Sequence, residues 1–253
     1  MSCQTHLYFN TSIGRQKPEN IINRSNSCPF CETEKLVGIM ERRGDIILLP
    51  NKYPVLANTY PLVIIETAEC DSELSVYKKD RLYEVIDFGV YHWLRLLESK
   101  VYPSVLFFKN HGPRSGGTIR HPHMQIIGLE NVDSTRFVEA EQFEGLLITK
   151  SQQVEFNLST KPRMGFYEFN VLSDHGDTRY MADFIQIACH YVLNHFYRCD
   201  SYNLFFYQVE GKLIAKIIPR FVASPIFVGY SIPQVAMNLE EVKRTIQQIY
   251  GLG

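Results

Sequence analysis

Two kinds of apolar spacing alternate along this chain, and they recur in the same order in each half. Residues 45–50 (DIILLP) and 62–66 (LVIIE) are short apolar runs that predict strands. Over residues 79–100, Leu82, Val85, Ile86, Val90, Trp93, Leu94 and Leu97 recur at helical steps with charges between them, and Pro103 stops the pattern. Residues 105–109 predict a strand, a glycine-rich turn follows, and residues 121–129 form its hairpin partner.

The second half repeats helix, strand, turn and strand. Residues 165–172 predict a strand and 179–197 a long apolar helix. Residues 203–207 (NLFFY) echo 105–109 (VLFFK), and 211–219 predict another strand. Residues 239–250 form a terminal helix ended by Gly251. Residues 1–27, rich in Asn, Ser and Thr, predict an irregular arm, 130–152 a connector, and 174–177 (DHGD) a turn. The expected fold class is α+β, with two homologous halves, 1–130 and 131–253, each an antiparallel sheet with a long helix. The second half has only a short turn and no paired histidines, so it is expected to be degenerate.

One strand breaks the apolar rule. Entering the 121–129 strand, His121, His123 and Gln125 share one face, where an ordinary core strand has apolar side chains. Just before them lie Asn110, Gly116, Gly117 and Thr118, in a loop able to offer backbone N–H groups to an anion. Such a set suits phosphate chemistry. Composition narrows the partners. Net charge is −1 and charged residues make up 21% of the chain, which gives no drive towards nucleic acid or anionic membranes. No apolar run is long enough to span a bilayer, and residues 1–24 lack a signal-peptide core. Six cysteines in 253 residues is not a secreted disulfide framework. The expected setting is the cytoplasm, with reduced thiols.

Cys28 and Cys31 form a CxxC turn, which suits two thiolates on one ion or a redox pair. No strand precedes it, which favours metal. A tetrahedral structural zinc site needs two more ligands, and Cys70, His121, His111 and His92 are the candidates. Cys70 stands in a polar turn, unusual for a residue type that is mostly buried. Cys189 and Cys199 are expected to pack in the second half, and His92, His190 and His195 to be structural or solvent-facing.

The His121-Pro122-His123-Met124-Gln125 signature, preceded by Asn110-His111-Gly112 and Gly116-Gly117-Thr118, resembles the galactose-1-phosphate uridylyltransferase branch of the histidine-triad superfamily. The Cys28–Cys31 turn, Asn51-Lys52-Tyr53-Pro54 and residues 63–71 also look like that branch, and the chain is most similar to its short bacterial members. The resemblance implies two histidine-triad-like halves in tandem. It also implies a structural zinc on Cys28, Cys31, Cys70 and His121, with Cys70 where the family usually has histidine. It makes His123 a nucleophile, gives Gln125 the place of the hydrolases' third histidine, and sets Gly116, Gly117 and Thr118 against an acceptor phosphate. Asn110 is expected to position phosphate or the loop, and Asn51 the ribose side. Arg114 and Arg120 are expected to add charge nearby, although the family often has proline at the Arg120 position. His111 either approaches the phosphates or stabilises the loop.

The implied activity is a nucleotidyltransferase or phosphorylase working through a nucleotidyl-histidine. Its substrates are a nucleotide sugar or dinucleoside polyphosphate and a phosphate acceptor, and a homodimer is possible. The alternatives are a hydrolase of such compounds and a non-catalytic zinc-containing nucleotide binder. An amide at position 125 accepts and donates hydrogen bonds but supplies no acidic proton, which favours transfer between phosphates over hydrolysis.

Overall fold

A computed structural model describes residues 5–174 and 176–252, so the first four residues of the arm and His175 of the 174–177 turn lie outside it. The chain divides into two units, one of Met1–Glu73 with Glu84–Phe137, the other of Leu74–Tyr83 with Val138–Gly253.

In the first unit the arm is pinned rather than loose. Its short helix α1 (Thr11–Gly14) is capped by Asn10, whose side chain accepts from the amides of Ser12 and Ile13. The Asn10 amide donates to the Val55 carbonyl (2.7 Å) and the Ala57 amide to Tyr8 (2.9 Å). Farther along, Glu19 accepts from the amides of Ile22 and Asn23. The polar composition that reads as an irregular arm is spent on caps and turns.

Strands β1 (Glu41–Arg43), β2 (Ile46–Pro50), β3 (Thr59–Ile65), β4 (Ser104–His111) and β5 (His123–Leu129) pair antiparallel in the order β1-β2-β3-β5-β4. Register sorts the faces. His123 stands opposite Ile65, and Gln125 opposite Val63 on one side and Phe108 on the other. The alternate residues Met124 and Ile126 are fully buried with Ile64 and Phe107. That second face lies under α2 (Lys79–Glu98): Trp93 donates its indole N–H to the Val105 carbonyl at 2.9 Å, and its ring tilts against Phe107. Two glycines permit this packing. A Cβ on Gly89 would stand 2.4 Å from the Phe107 ring, and one on Gly128 would stand 2.6 Å from Tyr102, which stacks on Tyr60.

The second unit contains β6 (Gly145–Ser151), β7 (Val154–Ser159), β8 (Phe169–Ser173), β9 (Tyr202–Val209) and β10 (Lys212–Pro219). They pair antiparallel in the order β9-β10-β8-β7-β6. Helix α3 (Thr178–Asn194), capped by Asp177, buries Met181, Phe184, Ile185 and Val192, and Phe184 stacks on Phe156 of β7. After α4 (Pro225–Tyr230), α5 (Leu239–Tyr250) ends at Gly251 with φ +64°. Among the described residues, no helix is long and apolar enough to cross a membrane.

Two sequence expectations shift here. Residues 130–152 are no plain connector, because β6 lies within them and pairs with β7. Its half-exposed edge hides the alternation, and its turn puts Gln152 and Gln153, rather than Gly or Asn, at φ +47° and +66°. The strand expected from residue 165 begins only at Phe169, since Gly165 and Phe166 take φ +148° and +61°.

Candidate active site and metal cluster

The end of β5 and the segment before it carry the site. His121 is fully buried. Its Nε2–H donates to the Thr67 carbonyl (2.7 Å), which leaves the lone pair on Nδ1. Nδ1 lies 3.6 Å from Cys28 Sγ and 3.5 Å from Cys31 Sγ. With Cys70, all four donor atoms lie within 4.8 Å of one another. An N donor and an S donor on one tetrahedral zinc, at about 2.1 and 2.3 Å, stand about 3.6 Å apart. The His121–cysteine spacings meet that requirement.

The thiol electrostatics point the same way. Burial pushes the Cys28 thiol up, but its hydrogen bond with His121 and the backbone amides of Phe30 and Cys31 outweigh this and bring it down to about 6. Burial, reinforced by Cys70 and Cys28, drives the Cys31 thiol up to about 12, and burial also raises Cys70. Three thiols crowded on one imidazole do not all ionise unless a cation sits among them. The residues therefore fit a divalent ion held as Cys₃His. His92 and His111 are not in this cluster; His92 packs on Phe88 and lies 3.4 Å from Glu41.

His123 opens β5, two residues on. Its Nδ1–H donates to the His121 carbonyl at 2.7 Å, so the lone pair is on Nε2. Burial holds its imidazole well below the usual range, at about 4; the bond to His121 works against this, while the positive charges of Lys109 and Lys17 work with it. His123 is thus a neutral base at physiological pH. Phe30, from within the CxxC turn, sets its ring edge against His123 at 5.3 Å and against His121 at 6.0 Å. Gln125 follows on the same face, half-buried. Around these two the face is apolar. Ile47, Leu49, Val63 and Ile65 with Phe30 and Leu36 lie on one side, and Ile127, Leu129 and Val132 with Leu56, Leu106 and Phe108 on the other.

The glycine loop closes back on the arm. Gly116 takes φ +85°. Gly117 donates to Ser115 Oγ (3.3 Å), and a Cβ there would crowd Asn110 Cβ at 3.3 Å. The Thr118 carbonyl accepts from the Asn20 amide (2.9 Å). Asn51 Oδ1 accepts from the Tyr53 amide (2.9 Å), so its side chain builds its own turn. Arg120 differs from expectation, for its guanidinium turns to Asp71 (3.0 Å) and Cys70 (3.9 Å).

Sequence reasoning passes over three residues here. Lys17, half-buried in the arm, has its pKa lowered by burial and contributes positive charge at His123. Asn20, 1% exposed, clamps the loop through both its backbone and its side chain. Phe30 stands against both histidines. The first two sit in a polar stretch without periodicity, and Phe30 is hidden inside a motif read only for its cysteines.

The chain matches the DUF4931 N-terminal domain, a domain of unknown function, over residues 9–132, and the DUF4931 C-terminal domain over residues 135–251. No curated protein matches it. A crystal structure of a DUF4931 family protein from Bacillus cereus is similar at 41% identity, over 84% of this chain and 99% of that one, with a TM-score of 0.77. An ADP-glucose phosphorylase from Arabidopsis thaliana, solved with bound ADP-glucose, shares 15% identity over 95% of this chain and 94% of its own, with a TM-score of 0.71. A uridylyltransferase structure shares 17% identity over 89% and 93%, with a TM-score of 0.69. These last two likenesses are of fold. On the family match across both units, the chain belongs to the DUF4931 family.

Proposed function

We propose that this protein is a nucleotidyltransferase or phosphorylase that moves a nucleoside monophosphate from a nucleotide sugar or related nucleoside diphosphate to a phosphate acceptor, by way of a nucleotidyl-His123. The observation that carries the reading is the tautomer of His123. Its Nδ1–H is committed to the His121 carbonyl, and its Nε2 keeps the lone pair a nucleophile needs.

In the first step Nε2 attacks the α-phosphorus. The N–P bond forms, the bond from that phosphorus to the bridging oxygen breaks, and the sugar phosphate leaves with the electron pair. In the second, an oxygen of the acceptor phosphate attacks the same phosphorus and the N–P pair returns to Nε2. A phosphate leaving group needs no proton from the protein, which suits an amide at Gln125. Gln125 donates to a non-bridging oxygen, and the backbone of Gly116, Gly117 and Thr118 receives the acceptor phosphate. Asn110 lies against Gly117, where an added Cβ would stand 3.3 Å from Asn110 Cβ, and it orders that loop. Lys17 adds positive charge where the phosphates gather. The apolar flanks of the face take the base and ribose.

Cys28, Cys31, Cys70 and His121 would hold a structural zinc, which would fix the segment leading into β5. These residues then hold the His121 carbonyl, and through it His123, in one orientation. Among its described residues the second unit has no such set, and a buried Lys216–Glu168 pair stands on its sheet.

The relatives named above support the class, since phosphorylase and uridylyltransferase are activities of proteins with this fold. The test is phosphate dependence. Purified protein is given UDP-glucose, ADP-glucose and their relatives, with and without inorganic phosphate. Consumption that needs phosphate, or a sugar phosphate, and yields a nucleoside diphosphate or a new nucleotide sugar supports the proposal. Release of nucleoside monophosphate by water alone, at an undiminished rate, would make it a hydrolase.

A further inference from the structure

We propose that Arg120 is a positioning residue of the metal cluster: its guanidinium offsets the charge of the third thiolate, Cys70, and its backbone ties the cluster to the glycine loop through Asn20. This rests on the metal reading above and goes beyond it.

A divalent ion with two thiolates and two neutral imidazoles is neutral, whereas three thiolates and one imidazole leave one net negative charge. That charge sits beside a fully buried His121 and a partly buried Cys70, where it is costly unless a cation is close. Arg120 supplies the cation. Its Nη2 lies 3.9 Å from Cys70 Sγ, and its side chain is 27% exposed. Asp71 Oδ1, 3.0 Å from Nη1, aims the guanidinium. Asp71 itself is 71% exposed, so water screens its own charge far more than that of the thiolate side.

The backbone connection is equally specific. The Arg120 amide donates to Asn20 Oδ1 at 2.7 Å, and the Asn20 amide donates to the Thr118 carbonyl at 2.9 Å. Asn20 is 1% exposed, so neither bond is readily replaced by water. The order of the loop at Thr118 and the seat of the guanidinium on Cys70 therefore depend on the same three residues. The arrangement also accounts for two departures from the histidine-triad resemblance at once, since cysteine at 70 and arginine at 120 are the residues that meet.

The test is a zinc titration against chelators of graded strength. It compares wild type, Arg120→Gln, Arg120→Lys, Cys70→His and the Cys70→His/Arg120→Gln double variant. Loss of the guanidinium in the wild-type background is expected to weaken zinc binding about tenfold or more. Arg120→Lys, which keeps the charge, is expected to recover most of that. In the Cys70→His background, where the excess charge is gone, Arg120→Gln is expected to cost less than about twofold. The double variant thereby also reports whether the glutamine is tolerated by the fold. Equal losses in both backgrounds, or no loss in either, would overturn the role of Arg120 and leave the metal reading standing. Wild-type protein that binds no zinc at all would overturn the metal reading itself, and this inference with it.

Discussion

At the scale of single residues, the account turns on which nitrogen of each histidine is free. His121 gives its Nε2–H to Thr67 and keeps Nδ1 for the cysteines, while His123 gives its Nδ1–H to His121 and keeps Nε2. Two backbone carbonyls, of Thr67 and of His121, thus set two tautomers with opposite outcomes. A pH expectation follows from the environment of His123. A free imidazole is half protonated near about pH 6.5. Burial, aided by the positive charges of Lys109 and Lys17, lowers the His123 pKa to about 4 against the opposing hydrogen bond to the His121 carbonyl. The lowered pKa means the neutral, nucleophilic form persists as pH falls from 8 through 6. Single-turnover adduct formation, quenched into alkali, is expected to be flat across that range; a decline with a midpoint between 6 and 7 would show an ordinary, solvated imidazole.

At the scale of elements, the packing of α2 on the first sheet is the sharpest case. Gly89 gives the helix a position of low intrinsic propensity, and Gly→Ala in a helix normally gains about 1 kcal/mol. Here the added Cβ would stand 2.4 Å from the Phe107 ring, which is buried. Gly89→Ala is expected to destabilise by about 1–3 kcal/mol, read as a lower Tm; an unchanged or higher Tm would show that the ring yields. The elements legible in the sequence are those with strong periodicity: α2, α3, β4, β5, β9 and β10 fall where apolar spacing puts them. The β6–β7 hairpin was not legible, because an edge strand need not alternate cleanly and its turn uses two glutamines at positive φ. The CxxC pair and the candidates Cys70 and His121 are legible from residue type alone, but the choice of those two over His111 and His92 rests on the family resemblance. Neither spacing nor composition says that residue 70 returns to residue 121, which the β3–β5 pairing arranges by setting Ile65 opposite His123. The clamp at Asn20 was not legible at all, since its contacts are to backbone atoms 98 and 100 positions away.

At the scale of the whole molecule, each unit carries a buried ion pair, Glu66 with Lys109 in the first and Glu168 with Lys216 in the second. Glu168 also accepts from the amides of Arg163 and Met164, and Lys216 donates to the Gln142 carbonyl. Lys216→Met leaves that carboxylate buried without its cation. It is expected to cost about 3–5 kcal/mol in denaturant unfolding; a loss below about 1 kcal/mol would mean that water already reaches the pair. Removal of metal is expected to act locally. The Cys₃His cluster lies at positions 28, 31, 70 and 121, so a chelator is expected to raise hydrogen exchange around those positions and in the 116–120 loop, while amides of β7, β8 and β10 keep their protection. Uniform loss of protection across both units would contradict a confined role for the cluster.

The most direct measurement is the intact mass of purified protein mixed with nucleotide sugars and dinucleoside polyphosphates, held at neutral to basic pH because a phosphohistidine bond is acid-labile, with His123→Ala run in parallel. A nucleotidyl-enzyme is expected to appear as an added nucleoside monophosphate that is absent from the variant, its mass identifying the base. Turnover of any of these donors by both proteins, with no adduct on the wild type, would contradict covalent catalysis at His123.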